Sequence, residues 1–236
     1  MITVNEVMAE LEKLGNEQTK KTLMRHGAVE PIFGVKIGDL KPLQKKTRKN
    51  HELALELYET GYSDAMYLAG LIADEEKVTK TQLNQWIKKA SWALIANSTV
   101  AALTAESKHA LSLADKWIEV RKELVAAAGW NTYTHYLSVT DNAELDPAKF
   151  TGLLTKVVSE IHNQSNQVKA GMNGFVIALG SYVPDLTKKA KAAAKKIGKV
   201  EIDQGNTACK TPDALASIAK IEKMGRIGKK RKTARC

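Results

Sequence analysis

Two clusters of basic side chains carry the clearest chemical signal in this chain of 236 residues. One follows a predicted helix, at Lys188, Lys189, Lys191, Lys195, Lys196 and Lys199. The other crowds the C-terminus, at Arg226, Lys229, Lys230, Arg231, Lys232 and Arg235. Residues 151–236 contain 17 basic and 6 acidic side chains, whereas residues 1–150 contain 19 and 20. Clustered cations release the counterions of phosphates, so the pattern predicts nucleic-acid binding; a solvated lysine face is the plainer alternative.

Other reactive side chains form no recognisable catalytic or metal-binding pattern. Lys36 lies between Gly34 and Gly38, but the segment lacks the strand and the Gly-Lys-Ser/Thr sequence of a phosphate-binding loop. Cys209 and Cys236 have no histidine at ligand spacing, which argues against a disulfide framework or a zinc site. The sequence therefore predicts no metal ion and no organic cofactor.

A group of aromatic side chains recurs at helical spacing. Its members are Trp92, Trp117, Trp130, Tyr133, His135 and Tyr136. Aromatic rings stack on nucleotides, but such a group more often belongs to a hydrophobic core. Both interpretations stay open at this point, and Trp92 is kept among the predicted nucleic-acid contacts.

The elements that must position these residues are predicted to be helices. Apolar residues repeat every three or four positions, as at Val4, Val7 and Leu11. Proline next to aspartate marks helix starts, as at Asp146-Pro147. The resulting helices span residues 3–14, 17–26, 38–49, 51–60, 62–73, 79–90, 92–105, 107–118, 121–138, 147–162, 166–182, 184–198 and 212–224. Residues 199–203 alternate like a strand but are too few to found a sheet.

Many short helices joined by tight turns predict an all-α fold, a right-handed α-solenoid of stacked helical hairpins. No strict motif recurs, so the repeats are degenerate, and a compact bundle is the alternative. We expect a helical-repeat domain over residues 1–199. Residues 200–236 are expected to form a loop, a short helix and a basic arm that is flexible until it meets phosphate.

The cytoplasm is the expected location of this protein. No apolar run approaches the roughly 20 residues that span a bilayer, so no membrane contact is predicted. The acidic and polar residues Asn5, Glu6 and Glu10 do not match the pattern of a signal peptide.

One segment resembles the entry motif of the DNA alkylation repair family. It runs from Ile32 to Lys45, as Ile-Phe-Gly-Val-Lys-Ile-Gly-Asp-Leu-Lys-Pro-Leu-Gln-Lys. Tracts at residues 90–92, 116–118 and 168–170 lie where the family's later helices are expected, and Lys169 joins the predicted contacts. The resemblance covers about residues 20–198 and implies a solenoid of HEAT-like repeats. It also implies that a basic face grips duplex DNA and that active members excise N3- and N7-alkylated purines.

The resemblance also implies where the family's cleft residues lie. Asn97 matches the catalytic aspartate, and Ala126 matches an arginine that contacts the DNA backbone near the lesion. The second cleft tryptophan matches Met172 or Asn173. Excision leaves positive charge on the sugar, which a fixed carboxylate stabilises and an amide does not. The nearest acids, Glu106 and Asp115, lie a helix away.

The sequence therefore predicts a DNA-binding protein that acts on or senses alkylated DNA, with glycosylase activity reduced or lost. The duplex DNA is the predicted partner. One alternative is a non-catalytic repeat scaffold that binds an acidic protein or RNA through the same basic face. Another is an active glycosylase that uses a carboxylate not identified above.

Overall fold

The computed structural model describes residues 2–205 and 207–235, and these residues contain helices, turns and loops but no β-strand. Its α-helices are α1 (Val4–Leu14), α2 (Glu17–Arg25), α3 (Lys41–Thr47), α4 (His51–Glu59), α5 (Ser63–Ile72), α6 (Lys80–Lys89), α7 (Ala101–Glu106), α8 (Ala110–Trp117), α9 (Glu123–Val139), α10 (Pro147–Glu160), α11 (Asn166–Tyr182), α12 (Thr187–Ile197) and α13 (Ala214–Lys223). A π-helix, Leu94–Val100, leads directly into α7. The predicted helix at residues 92–105 is thus two segments with different hydrogen bonding.

Side-chain caps explain where several helices begin. The Thr3 hydroxyl accepts from the Glu6 amide and the Glu6 carboxylate accepts from the Thr3 amide, which closes a capping box on α1. Asp146 caps α10 and Pro147 is its first residue, as the sequence predicts. The start predicted at residue 212 is two residues early, because the Asp213 side chain caps α13 by accepting from the Ala216 amide.

The helices stack in one direction along the chain. Helix α5, the π-helix with α7, then α9 and α11 pack side by side in sequence order, and α13 packs against α11. Helices α4, α8 and α12 cover this row by packing on α5, α9 and α11 respectively. The buried side chains form two clusters that meet at α9, where Ala128 belongs to the first and Trp130 to the second. This end-to-end arrangement confirms a stack of helical repeats.

Small residues set the closest helix pair, α9 against α11. A Cβ atom on Gly171 would lie 2.9 Å from Cβ of Trp130 and 3.3 Å from the Ala127 carbonyl oxygen. Ala127 itself is fully buried. Ala127 and Gly171 therefore lie where α9 and α11 touch. Among the described residues, no helix is both long and apolar enough to cross a membrane.

Candidate nucleic-acid interface

The basic C-terminal segment is fixed to the protein itself. We call residues 226–235 the strap. After α13 the chain turns back, and the Gly228 amide donates to the Ser181 carbonyl at 2.8 Å, at the end of α11. The Arg231 amide donates to the Ser138 carbonyl at 2.7 Å, at the end of α9. In this structure the segment is docked, because it finds hydrogen-bond acceptors on the ends of its own helices.

The end of the strap inserts between Glu75 and Glu106, and we call these two carboxylates the acidic socket. Glu106, the last residue of α7, accepts from the Ala234 amide at 2.5 Å and from Arg235 Nε at 2.6 Å. Arg235 Nη2 lies 2.7 Å from Glu75, and Nη1 donates to the Ala73 carbonyl at 2.7 Å. The Arg235 side chain is only 11% exposed. A guanidinium presents several donors in a fixed plane, so it joins two carboxylates and a helix end at once.

Glu75 has the most strongly perturbed carboxyl group of the socket. Burial raises the pKa of Glu75, but hydrogen bonds from Lys49 and Arg235 outweigh burial and lower this pKa to about 2. Lys49 Nζ lies 2.6 Å from Glu75 Oε1 and 3.5 Å from Asp74. Glu75 therefore stays ionised at neutral pH and attracts both cations, which ties the strap to the region that follows α5.

Four strap cations remain free to contact a ligand. Arg226, Lys229, Arg231 and Lys232 are exposed, and no ion pair joins them to another residue in the part of the chain that the structure describes. They line a concavity of about 560 Å³ between the strap and the end of α11, together with Tyr182. This concavity presents several positive charges and accepts a polyanion.

Lys230 is held differently from its neighbours. Its Nζ donates to the Leu137 carbonyl at 2.8 Å, near the end of α9. Burial lowers the pKa of Lys230 to about 8. The side chain therefore points into the protein, and at neutral pH it contributes a partly buried charge to a helix C-terminus, where the helix dipole favours a cation.

The predicted cluster on α12 is divided between two environments. Lys188, Lys189, Lys195 and Lys196 are exposed. Lys191 pairs with Glu222 near the end of α13 at 2.7 Å, and Lys199 pairs with Glu201 at 3.0 Å. The Lys191 pair places α12 beside the point where the strap begins. Acids on neighbouring segments thus neutralise two of the six predicted contacts in part.

The candidate cations lie at both ends of α11 rather than in one patch. Helix α11 has 17 residues and is therefore about 25 Å long. The strap touches its C-terminal end at Ser181, whereas Lys169 lies near its N-terminal end. The carbonyl of Ile197, at the end of α12, lies 2.9 Å from His162 Nε2, just before α11 begins. Lys195, Lys196 and Lys199 therefore accompany Lys169, away from the strap.

The aromatic group belongs to the core. Trp92 is 6% exposed and donates its indole N–H to the Ser63 hydroxyl at 3.2 Å. Trp117 is nearly buried and donates to Asn84 at 3.0 Å, while Trp130 and Tyr133 are fully buried. These rings have no face available to a base, so the structure supports the core interpretation.

Asn97 lies in the π-helix, where an extra residue widens the turn. Its carbonyl oxygen lies 2.9 Å from His135 Nε2, which must donate there because a carbonyl only accepts. Its side-chain Oδ1 is buried without a hydrogen-bond partner among the described residues. Burial lowers the pKa of His135, so this imidazole is neutral at physiological pH. The position that matches the family's aspartate is therefore an uncharged amide beside a neutral ring.

The other matched positions also lack the expected chemistry. Ala126 is 5% exposed and its methyl group carries no charge or hydrogen-bond donor for the DNA backbone. Met172 is buried in the second core cluster. Asn173 is 3% exposed and donates to the Pro212 carbonyl at 2.8 Å, which anchors the segment before α13. Both candidates for the second cleft tryptophan are therefore structural residues.

The two nearest acids are already engaged. Glu106 holds the strap, and its Oε1 also accepts from the Thr233 hydroxyl. Asp115 accepts from the Tyr133 hydroxyl and lies 2.6 Å from Lys149 Nζ. Neither carboxylate is free to stabilise a developing positive charge on a sugar.

The described ranges contain no group of three histidine, cysteine or acidic residues that could hold a metal ion. Cys209 is exposed and carries a free thiol. Cys236, the other cysteine of the sequence, lies outside the described residues.

The strap's acceptors were not identified from the sequence. Glu75 lies in an ordinary acidic turn, and Glu106 drew notice only as a nearby acid. Arg235 is 129 residues away from Glu106 and 160 from Glu75 along the chain.

Comparisons with known proteins agree with the fold. The family model described as DNA alkylation repair enzyme matches residues 7–217. An uncharacterized protein of Listeria innocua is 37% identical over 226 residues, which cover 93% of this chain and 97% of the relative. An uncharacterized protein of Listeria monocytogenes is 36% identical with the same coverage.

A solved structure also matches over its whole length. It covers 100% of both chains with a TM-score of 0.93 and 39% sequence identity. It is described as representing a new family of proteins related to the HEAT-like repeat DNA glycosylases, with affinity for branched DNA structures. The all-helical fold of this chain is accordingly a HEAT-like repeat fold. Together with the match over residues 7–217, it shows that this chain belongs to the DNA alkylation repair family.

Proposed function

We propose that this protein binds DNA through its exposed cations and has little or no base-excision activity. The observation that carries the proposal is the combination of a fixed basic strap with an uncharged cleft. The strap presents four free cations, whereas Asn97, the residue predicted to match the family's carboxylate, carries no charge. Binding to phosphate needs only the first feature, and excision needs the second.

The similar solved protein supports branched DNA as a ligand, because its description states an affinity for branched DNA structures for that protein. The layout of charge in this chain agrees with such a ligand. Cations lie at both ends of α11, about 25 Å apart by helix length. Two separated basic regions can contact two arms of a junction at the same time, and each phosphate contact adds counterion release. We therefore propose that this chain binds branched DNA more tightly than linear duplex DNA.

Loss of excision follows from the electrostatics of the cleft. A fixed group that stabilises a developing charge typically contributes about 10² to 10³ in rate. Asn97 provides no negative charge, His135 is neutral, and Glu106 is bound by the strap. Alkylated DNA is then a ligand that the protein senses or holds, rather than a substrate that it turns over.

The proposal is tested by binding and chemistry in parallel. Binding of a four-way junction, a linear duplex and a single strand of equal length is measured by fluorescence anisotropy between 50 and 300 mM salt, about the range where salt dependence is steep. We expect the junction to bind most tightly with a steep salt slope. Released base from duplex DNA carrying 7-methylguanine is measured by chromatography, and we expect none above the uncatalysed rate.

Three results would contradict this proposal. Rapid base release would show that an unidentified carboxylate is active. Tighter binding to RNA than to DNA of the same shape would show that RNA is the ligand. A shallow salt slope with no preference among nucleic acids, together with a defined stoichiometry for an acidic protein, would support the scaffold alternative.

A further inference from the structure

We propose that Glu106 and Arg235 are positioning residues that hold the strap as a preformed row of phosphate-binding cations. The inference rests on the proposed DNA binding, because the row acts on phosphate. Glu106 then acts as a latch, meaning the residue that holds the end of the strap in place, and not as a catalytic acid. The contacts of the strap, its spacing and its charge support this assignment independently.

The strap bonds to successive helix ends at regular intervals along its backbone. Its backbone amides at Gly228 and Arg231 bond to the ends of α11 and α9, and the Ala234 amide bonds to Glu106 at the end of α7. These anchors are three residues apart, which in an extended chain is about 10 Å. Packed helices lie about 8 to 10 Å apart. One backbone amide in three therefore bonds at one helix end, and the side chains of Lys230 and Thr233 add contacts at the ends of α9 and α7.

The register decides which side chains are free. Lys229 and Lys232 each follow an anchor residue by one position and are exposed. The Arg231 side chain is exposed although its amide is bonded. Lys229 and Lys232 thus share the three-residue spacing of the anchors, so the helix stack fixes the backbone distance between these two cations.

The helix ends favour this arrangement electrostatically. The carbonyl ends of α-helices carry partial negative charge, and cations placed there are stabilised. The strap crosses the carbonyl ends of α11, α9, α7 and α5 in turn, and Arg235 reaches the last of these through the Gly70 and Ala73 carbonyls. A row of cations that would repel one another in solution is therefore held close together.

Glu106 is the decisive contact because its one carboxylate receives three strap donors. These are the Thr233 hydroxyl, the Ala234 amide and Arg235 Nε. Loss of this carboxylate leaves the end of the strap with Glu75 and two carbonyls. A released strap has the same charge but must be ordered again on each binding event, which costs conformational entropy.

The substitution Glu106→Gln separates position from charge. It makes the protein more positive by one unit, so simple electrostatics predicts tighter DNA binding. If Glu106 positions the strap, binding weakens, and we expect at least about a tenfold loss from the cost of ordering several residues. The matched control is Glu144→Gln, which removes one exposed acid without a strap contact. The control should bind DNA as tightly as the native protein or slightly more tightly.

Release of the strap is measured without DNA. Trypsin cleaves after the strap's lysines and arginines, and hydrogen exchange reports the bonded amides of Gly228, Arg231 and Ala234. We expect faster cleavage and exchange in Glu106→Gln and in Arg235→Gln, with circular dichroism unchanged. If trypsin cleavage and amide exchange in both variants match those of the native protein, Glu106 and Arg235 do not hold the strap. If the strap is released but DNA affinity stays equal or increases, the docked strap is not a preformed row of phosphate-binding cations.

Failure of the proposed function looks different. If the native protein binds no nucleic acid, the proposed DNA binding fails while the protease and exchange data still judge the latch. If the native protein binds DNA with a steep salt slope and Glu106→Gln binds equally well, the proposed function stands and the positioning role of Glu106 is refuted.

Discussion

Neutralising the four free strap cations should abolish most of the strap's share of DNA binding. The variant replaces Arg226, Lys229, Arg231 and Lys232 by glutamine, and leaves Lys230 and Arg235 in place so that the strap stays docked. Each neutralised phosphate contributes about 0.9 to the slope of log affinity against log salt. If all four cations contact phosphate, the slope should become shallower by about 3 to 4 units.

The same relation gives the loss of affinity. One contact contributes about an eightfold factor at 0.1 M salt, so four contacts contribute up to about 10³ to 10⁴. Affinity and slope are measured by anisotropy titration with duplex and junction DNA at four or more salt concentrations. The slope is the more direct quantity, because small conformational effects change affinity without changing the number of released ions.

A matched control removes equal charge from another region. Lys21, Lys36, Lys41 and Lys45 are exposed in the N-terminal part of the chain, far in sequence from the strap. Their replacement by glutamine lowers the net charge by the same four units, from +10. If both quadruple variants change the slope equally, only overall charge matters and the reasoning from the strap is refuted. If neither changes it, the interface lies elsewhere.

Three further predictions concern the strap and the cleft. Gly228→Ala should release the strap more than Gly225→Ala in a trypsin assay, because both have positive φ but only the Gly228 Cβ would meet a Pro184 ring atom, at 2.8 Å. The contribution of ionised Glu75 is complete above its ordinary pKa of 4.5 and is lost toward its folded value of about 2, so the protection of the strap amides relative to their intrinsic exchange rates should fall over that range, and less so in Glu75→Gln. Asn97→Asp alone should leave base release undetected in the chromatographic assay, because the strap still occupies Glu106 and Ala126 offers no backbone contact.

Lys230 gives a second pH prediction, in which the fold disfavours the charged form of the side chain. Its pKa is about 8 in the folded protein and ordinarily 10.5, so folding disfavours its charged form below pH 8 and this penalty disappears as the pH rises to 10.5. The stability of the native protein relative to Lys230→Met should therefore increase over that interval, as measured by chemical denaturation. A constant difference across pH 8 to 10.5 would show that Lys230 is not desolvated.

The helices were largely predictable because their signals are local. The Asp146-Pro147 start of α10 combines a cap with a residue that needs no N–H donor, and both act within one turn. The alternation at residues 199–203 was correctly discounted as a sheet. The π-helix was not predicted, because its apolar spacing over Leu94–Val100 resembles that of an ordinary helix.

The site was less predictable because its contacts are remote in sequence. The basic cluster at the C-terminus was correctly located, but its lysine and arginine residues were treated as one class. The structure divides them: Arg235 is bound by two carboxylates, Lys230 points to the Leu137 carbonyl, and the remainder are free. Composition records charge, whereas only the fold records which charges already have partners.

The arrangement of acids also accounts for how one fold can bind DNA without excising bases. A carboxylate in the cleft would repel the phosphate backbone unless it stabilised a positive charge that appears during reaction. With Asn97 at the predicted catalytic position and Glu106 neutralised by Arg235, neither of these two positions presents an unpaired negative charge to DNA. The two features that would prevent base excision, the uncharged Asn97 and the paired Glu106, therefore also reduce repulsion of the phosphate backbone.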